Sequence, residues 1–484
     1  MKKRVFLTGA TGLMGWAGLQ EMLKHEDLLD IVILARQSEK NIKKLAPLQG
    51  RIQIVWGDLM NYEDVLKGVT GADYVLHVGG MVSPEADYHP EKTLKVNVTS
   101  AENVVKAIQA QPNADEIRAV YIGSVAQTSD RGAGTRWGRT GDPVCASVYD
   151  YYSVSKIIAE RTFADAGLKH WVSLRQSGIL YPGILKKYDP IMFHVPIMGV
   201  LEWATIEDSG RLLANLCTLD LPDEFWNQFY NISSGPEYRM SNYEFETRLL
   251  KAIHCPGPEK IFTPKWFVLR NFHGQFYLDA DRLDEYLHFR ANVPVDDYFR
   301  QMGDRLPKYF KLAGIVPAPV IKAAMLPMAY KKKYGTQWWL KHGDEPRINA
   351  FYGGREQWER IPKWKEMNLS VSKDPVNAQR MDHGYDESKP LEQLTTEELR
   401  QAGLFRGSKL ISPEYDGNPE KQLEWECHDG HRYRMSPKLM LWGGHFCSEC
   451  LPPVWNYDHQ AKHNPFFAQA WYANHRHDED NIYQ

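Results

Sequence analysis

Short runs of branched and aromatic apolar residues alternate with amphipathic stretches through the first part of the chain. "RVFLT", "DIVILAR", "IQIVWGD", "ADYVLHV" and "AVYIGS" read as strands, with helical patterns across "LQEMLKH" and "PEKTLKVNVTSAENVVKAIQ" between them. Strands separated by helices make βαβ units and a parallel sheet, so the predicted fold class is α/β, doubly wound. Further on, "YSVSKIIAERTFADAG" predicts a helix, "HWVSLRQ" and "NQFYNIS" two more strands, and "YEFETRLLKAI" another helix. Beyond residue 330 clean periodicity gives way to aromatic and charged residues. The expected organisation is an α/β unit over 1–330 with a smaller substrate region at its end, a linker region with short helices over 331–415, and a small cysteine-bearing module over 416–484. In the linker region, "TTEELRQAGLFRG" carries a Thr start, an acidic first turn and a Gly close, and predicts one short helix.

A chain of 484 residues exceeds one typical domain and can bury a sizeable core. Its 58 Lys and Arg balance 61 Asp and Glu, a formal charge of −3. That balance gives no global attraction to nucleic acid or to an anionic membrane, although local patches remain open. No segment reaches the roughly 18–20 uninterrupted apolar residues of a membrane span. The start "MKKRVFLTG" runs directly into a strand, without a signal-peptide pattern, and the expected localisation is cytoplasmic. Of six cysteines, three cluster near the end and three are scattered, which suits a reduced compartment with one metal site better than a disulfide framework.

"VFLTGATGLMG" places Gly9, Gly12 and Gly15 between a strand and a helix. Glycines there permit a sharp turn and let a pyrophosphate approach the unpaired N–H groups of the helix N-terminus. The second strand ends "VILARQSEK" with Arg36, not an acid, at its tip. An acid would accept hydrogen bonds from a ribose 2′-OH, whereas a guanidinium pairs with a 2′-phosphate, so NADP(H) is expected in preference to NAD(H). Asp58 in "VWGDL" suits an adenine edge, though it is also an ordinary turn residue.

"YDYYSVSK" sets Tyr152 and Lys156 four apart on one helix face, and Ser124 ends the strand "AVYIGS". With these residues the sequence resembles the extended short-chain dehydrogenase/reductase family, also called the NAD-dependent epimerase/dehydratase family, over roughly its first 250–330 residues. The resemblance implies a Rossmann-type sheet, Tyr152 as acid/base, Lys156 as ribose holder and tuner of the phenol, and Ser124 as partner of the reacting oxygen. It also matches Asn97 in "LKVNVTS" to the family's helix asparagine, and "HVGGMV" to the nicotinamide-side loop, where glycines stand in place of the usual alanine. The candidate catalytic set is Tyr152, Lys156, Ser124 and Asn97. Candidate cofactor contacts are Gly9, Thr11, Gly12, Leu13, Met14, Gly15, Arg36, Asp58, Leu59, Val78, Gly79, Gly80, Tyr152, Lys156 and Ile179.

Sugar-dehydrating members of the family resemble one another in an Asp-Glu pair after the serine position; here Val125 and Ala126 follow Ser124. After "LYPG" the chain is largely apolar, with only the Lys186–Lys187 pair to grip a nucleotide diphosphate. The leading expectation is an NADP-dependent ketone/alcohol oxidoreductase for an uncharged, largely apolar small molecule, similar to the hydroxysteroid-dehydrogenase or dihydroflavonol-reductase branch. The alternative within the fold is a nucleotide-sugar epimerase or reductase. From another class comes an NADP-sensing regulator using its cysteine module on protein or nucleic acid. A homo-oligomer is left open.

The stretch "WECHDGHRYRMSPKLMLWGGHFCSEC" spaces Cys427, His431, Cys447 and Cys450 as C-x3-H and C-x2-C pairs. Four such ligands close a tetrahedral shell, which describes structural zinc, and the stretch resembles a zinc ribbon or treble-clef knuckle. His428 or His445 could replace His431 as a ligand. Only Arg432, Arg434 and Lys438 lie between the first and last cysteine, which disfavours nucleic acid as a partner.

Overall fold

The computed structural model describes residues 2–452 and 454–484. Strands β1 (Lys3–Thr8), β2 (Leu29–Ala35), β3 (Gln53–Trp56), β4 (Tyr74–His77), β5 (Arg118–Ser124), β6 (His170–Gln176) and β7 (Gln228–Ile232) form one parallel sheet in the order β7-β6-β5-β4-β1-β2-β3. Strand alternation divides the core between the two faces of the sheet. Phe6, Val32, Val75 and Tyr121 point to one face, while Val5, Ile33, Leu76 and Val120 point to the other. Helices α1 (Leu13–Met22) and α6 (Ile206–Thr218) cover the second face. The first is covered by α3 (Tyr62–Val69), α4 (Pro90–Gln109) and α5 (Tyr151–Ala164); α2 (Glu39–Leu45) lies within the β2–β3 connection. The sheet is the Rossmann-type doubly wound arrangement, with its carboxyl edge available for a ligand.

The segment after residue 390 packs onto the sheet face near β6 and β7. A three-stranded antiparallel sheet, β8 (Ser408–Leu410), β9 (Leu423–Cys427) and β10 (Arg432–Met435), brings Leu423, Trp425, Tyr433 and Met435 into the same hydrophobic core as Trp171 and Phe229. Residues 416–484 therefore share a core with the 1–330 unit.

The junction carries charge. Arg175, an inward-facing residue of β6, donates from Nε and Nη2 to Glu160 of α5 at 3.0 and 2.7 Å. Glu160 also accepts from Ser173 Oγ at 2.6 Å and meets His445 Nε2 at 2.7 Å, and Arg175 Nη2 donates to Gly443 O at 2.6 Å. Glu160, Arg175 and His445 are all essentially inaccessible to water. A charge buried this deeply is tolerated only when paired and hydrogen-bonded on every side, as here.

Removing one member leaves the others uncompensated. Glu160→Gln should lower stability to denaturant by about 3–5 kcal/mol, whereas Arg360→Ala, which removes an exposed pair with Glu356, should leave it nearly unchanged. Equal stability of the Glu160→Gln and parent proteins in urea unfolding would refute the junction's role.

Candidate functional site

The turn after β1 leaves no space for side chains. Gly9 has φ +71°, and a Cβ there would sit 2.7 Å from the backbone of Gly79; one on Gly15 would sit 2.3 Å from Gly9 O. Thr8 Oγ1 accepts from the N–H groups of Val78 and Gly79 at 3.1 and 2.9 Å and bonds His77 Nδ1 at 3.0 Å, clamping the loop after β4 against the turn. Neither Thr8 nor His77 stands out in the sequence; the available signal is a polar residue at a strand position that alternation makes buried. Helix α1 opens at Gly12 with no side-chain cap, so its first N–H groups are available to an anion. Leu13 is exposed beside them, Met14 and Gly15 are buried, and Thr11 O accepts from Lys44 Nζ at 3.0 Å. A cradle closed to every Cβ, at an uncapped helix start, fits a dinucleotide pyrophosphate.

Arg36 is the first residue past β2 and is exposed. Its carbonyl accepts from Ser38 N and Asn41 Nδ2 at 2.9 and 2.8 Å, and its guanidinium has no ion-pair partner among the described residues. Lys44, which the sequence reasoning passed over, lies over the Trp16 ring at 4.0 Å; burial, then Lys40, lower its pKa. Asp58 closes its own turn, Oδ1 accepting from Met60 N at 2.9 Å. Leu59 explains one glycine of the loop after β4, since a Cβ on Gly79 would meet its Cδ1 at 2.7 Å; a Cβ on Gly80 would meet Asn97 Oδ1 at 2.9 Å. Asn97 accepts from Met81 N at 2.7 Å and donates to Met81 O at 3.0 Å and to Ser155 Oγ at 2.8 Å. It positions that loop against α5, and its side-chain hydrogen bonds go to neither Tyr152 nor Ser124.

Tyr152, Lys156 and Ser124 converge at the carboxyl edge of the sheet. Asp150 caps α5, accepting from Ser153 N at 2.8 Å, and Tyr152 follows in the first turn, with Ser124 near enough to act on its phenol. Lys156 Nζ donates to Ile122 O at 2.8 Å and lies 6.0 Å from the centre of the Tyr152 ring. Burial pushes Tyr152 up to about 12, with Ser124 opposing, and brings Lys156 down to about 8, with Glu160 opposing. At neutral pH the phenol therefore carries a proton it can donate, and the lysine remains charged until pH rises through about 8.

A cavity of about 800 Å³ takes Ser83–Pro84, after β4, and Gly178–Ile179, after β6, into its wall, while Ser124, Tyr152 and Lys156 do not line it. Met192, Met198, Phe245, Leu249, Phe262 and Phe310 make much of its wall. Two charged side chains stand out in that wall. Arg136 donates to Met198 O at 3.1 Å and has no carboxylate partner among the described residues. Glu246 is buried, has no hydrogen-bond partner among the described residues, and is pushed up to about 8 by burial.

In the C-terminal segment the side chains of Cys427, His431, Cys447 and Cys450 gather with all four ligand atoms within 4.8 Å of one another. Sγ of Cys427 is 3.7 Å from Sγ of Cys450, and His431 Nδ1 is 3.5, 3.4 and 4.0 Å from Cys427, Cys450 and Cys447. Zinc bonds of about 2.0–2.3 Å in a tetrahedron give ligand edges of about 3.5–3.8 Å, so this donor set fits the ion. His445 is held by Glu160, and His428 stacks on His463 at 5.0 Å, so His431 is the histidine brought to the cysteines.

Residues 5–177 match the family model described as "NAD dependent epimerase/dehydratase family". Among curated proteins, UDP-glucose 4-epimerases from Rickettsia bellii and Rickettsia akari are each 31% identical over 110 residues, 22% of this chain and 32% of theirs. The chain thus matches about a third of the length of these relatives. Among solved structures, dTDP-glucose 4,6-dehydratase from Streptomyces venezuelae aligns at 17% identity and TM-score 0.49, covering 62% of this chain and 96% of that one. UDP-glucose 4-epimerase from Bifidobacterium longum aligns at 15% identity and TM-score 0.48, covering 64% and 100%. The matched residues 5–177 hold the glycine turn, Ser124, Tyr152 and Lys156, and through them the chain is similar to the NAD dependent epimerase/dehydratase family.

Proposed function

We propose that this protein is an NADP(H)-dependent oxidoreductase acting at the carbinol or ketone carbon of an uncharged, largely apolar small molecule. The convergence of Tyr152, Lys156 and Ser124 supports turnover over a purely sensing role. The nicotinamide, when bound, gives or takes the hydride. Ser124 Oγ orients the reacting oxygen, Tyr152 Oη gives it a proton in reduction or removes one in oxidation, and the charge of Lys156 favours the phenolate once the proton has left. Thr8 and Asn97 hold the loop that completes this edge.

The observation that carries the substrate class is the cavity wall, with its apolar side chains and the unpartnered Glu246. A neutral carboxyl there can hydrogen-bond a polar group on an otherwise apolar ligand, but would repel a diphosphate once ionised. A second reading, nucleotide-sugar epimerisation, is favoured by the named relatives, which are UDP-glucose 4-epimerases, and by the unpaired Arg136 at the cavity. The comparisons lie closer to this reading than to a hydroxysteroid or dihydroflavonol one. The family match nevertheless ends at residue 177, and most of the cavity wall comes from later residues. For the cofactor, the unpaired Arg36 with Lys40 and Lys44 nearby supports the 2′-phosphate.

Assaying the purified chain against neutral apolar ketones and UDP-sugars, with NADPH and NADH in parallel, separates the readings. Ketone-dependent oxidation of NADPH, faster than that of NADH, is expected; conversion of UDP-sugars alone would install the epimerase reading, and equal rates with the two cofactors would remove Arg36 as a phosphate reader. The cysteine cluster is proposed as a structural zinc site that helps hold residues 416–484 together. Metal analysis should find about one zinc per chain, and Cys447→Ser should render this segment protease-sensitive. Absence of zinc, or a variant as resistant as the parent, would reject the site.

A further inference from the structure

Residues 305–343 contain no Asp or Glu, yet carry Arg305, Lys308, Lys311, Lys322, Lys331, Lys332, Lys333 and Lys341; Arg305, Lys311 and Lys331 pair with Glu207, Asp304 and Asp189, and the other five have no carboxylate partner among the described residues. Their two helices, Lys308–Ile315 and Ala318–Ala329, meet at 117°. Among the described residues no single helix is long and apolar enough to cross a membrane. The bent pair nevertheless turns large apolar side chains to solvent: Ile315 is 80% exposed, Tyr309 65%, Val320 56% and Leu312 55%. Scattered apolar residues on a surface need no explanation, but a contiguous pair of helices bearing several of them does.

The same helices wall the cavity from within. Phe310, Ala313 and Val316 of the first part, and Ile321 and Met325 of the second, line it, while Lys186, Lys187 and the exposed Tyr188 stand at the same wall. Tyr188 Oη donates to Ala324 O, tying that lysine pair to the second helix. One element thus has an outer face that is apolar and basic and an inner face that borders the candidate substrate space.

The geometry points to residues 308–333 as a docking surface for an anionic lipid bilayer, lying in its interface with the cavity beside it, so that an apolar substrate passes between bilayer and cavity without crossing water. The delivery half of this inference rests on the apolar-substrate reading above; the docking half does not. Charge complementarity selects the occupant. Tyr, Leu, Ile and Val enter the boundary of the acyl region while flanking lysines meet anionic headgroups. A second copy seated face to face on the same surface would set one basic segment against another.

Vesicle sedimentation of the full chain, with no substrate or cofactor present, tests docking independently of catalysis. Binding to phosphatidylcholine vesicles containing about 30% phosphatidylglycerol should exceed that to pure phosphatidylcholine by about tenfold or more at low salt and should weaken strongly in about 0.5 M NaCl. Ile315→Asp should abolish it, and so should the double change Lys332→Glu with Lys333→Glu. All these side chains are exposed, so turnover of a water-soluble ketone and thermal unfolding should stay at parent values. Lack of vesicle binding by the parent, or binding indifferent to salt and to both variants, would overturn the inference. So would a lipid-free parent dimer that Ile315→Asp dissociates, which would make the face a contact between copies. Vesicle binding by a protein that turns over only UDP-sugars would uphold docking and remove delivery.

Discussion

Glu160 must be ionised in a place without water, and much of the molecule is arranged around that requirement. It lies one helical turn beyond Lys156 on α5, so the helix that presents Tyr152 and Lys156 also carries the buried carboxylate of the junction. Arg175 from β6, Ser173 beside it and His445 from the distant C-terminal segment satisfy it. Together they hold α5 to the sheet and to the C-terminal segment. The same carboxylate raises the pKa of Lys156 against the lowering effect of burial. Packing of the C-terminal segment and the charge state of Lys156 are thereby coupled through one side chain.

A second constraint operates at the other end of the site. The turn at Gly9 and the loop at Gly79 touch backbone to backbone, and Thr8 hydrogen-bonds across the contact. A methyl group at either glycine would separate the two loops, and with them the anion cradle from the edge that carries Ser124 and Tyr152. The glycines at 79 and 80, where the family resemblance leads one to expect alanine, follow from the close approach of Leu59 and Asn97. The site is rigid where a cofactor would lie and apolar where the substrate would lie.

Much of this was legible in the sequence because the signals are local. Period-two alternation separates Phe6 from Val5 and Leu7 without any knowledge of partners, and the spacing of Tyr152 and Lys156 places both on one helix face. The four metal-ligand candidates also come together as their spacing suggested. What escaped depends on residues far apart in the chain. Glu160 and His445 are separated by 285 positions, and spacing alone left His445 as a substitute zinc ligand. Asn97 sits where the resemblance expected it, but its hydrogen bonds go to Met81 and Ser155. The basic segment over 305–343 disappears in a whole-chain charge of −3, because acids elsewhere cancel it.

In the proposed reaction the Tyr152 hydroxyl moves the proton that accompanies hydride transfer while the rest of the site holds the cofactor. Replacing that hydroxyl alone tests it most directly. Tyr152→Phe should lose essentially all turnover of whichever substrate the parent accepts, yet bind NADPH within a few-fold of the parent by fluorescence titration, since Lys156 and the glycine turn are untouched. Turnover near the parent rate in Tyr152→Phe would contradict the account.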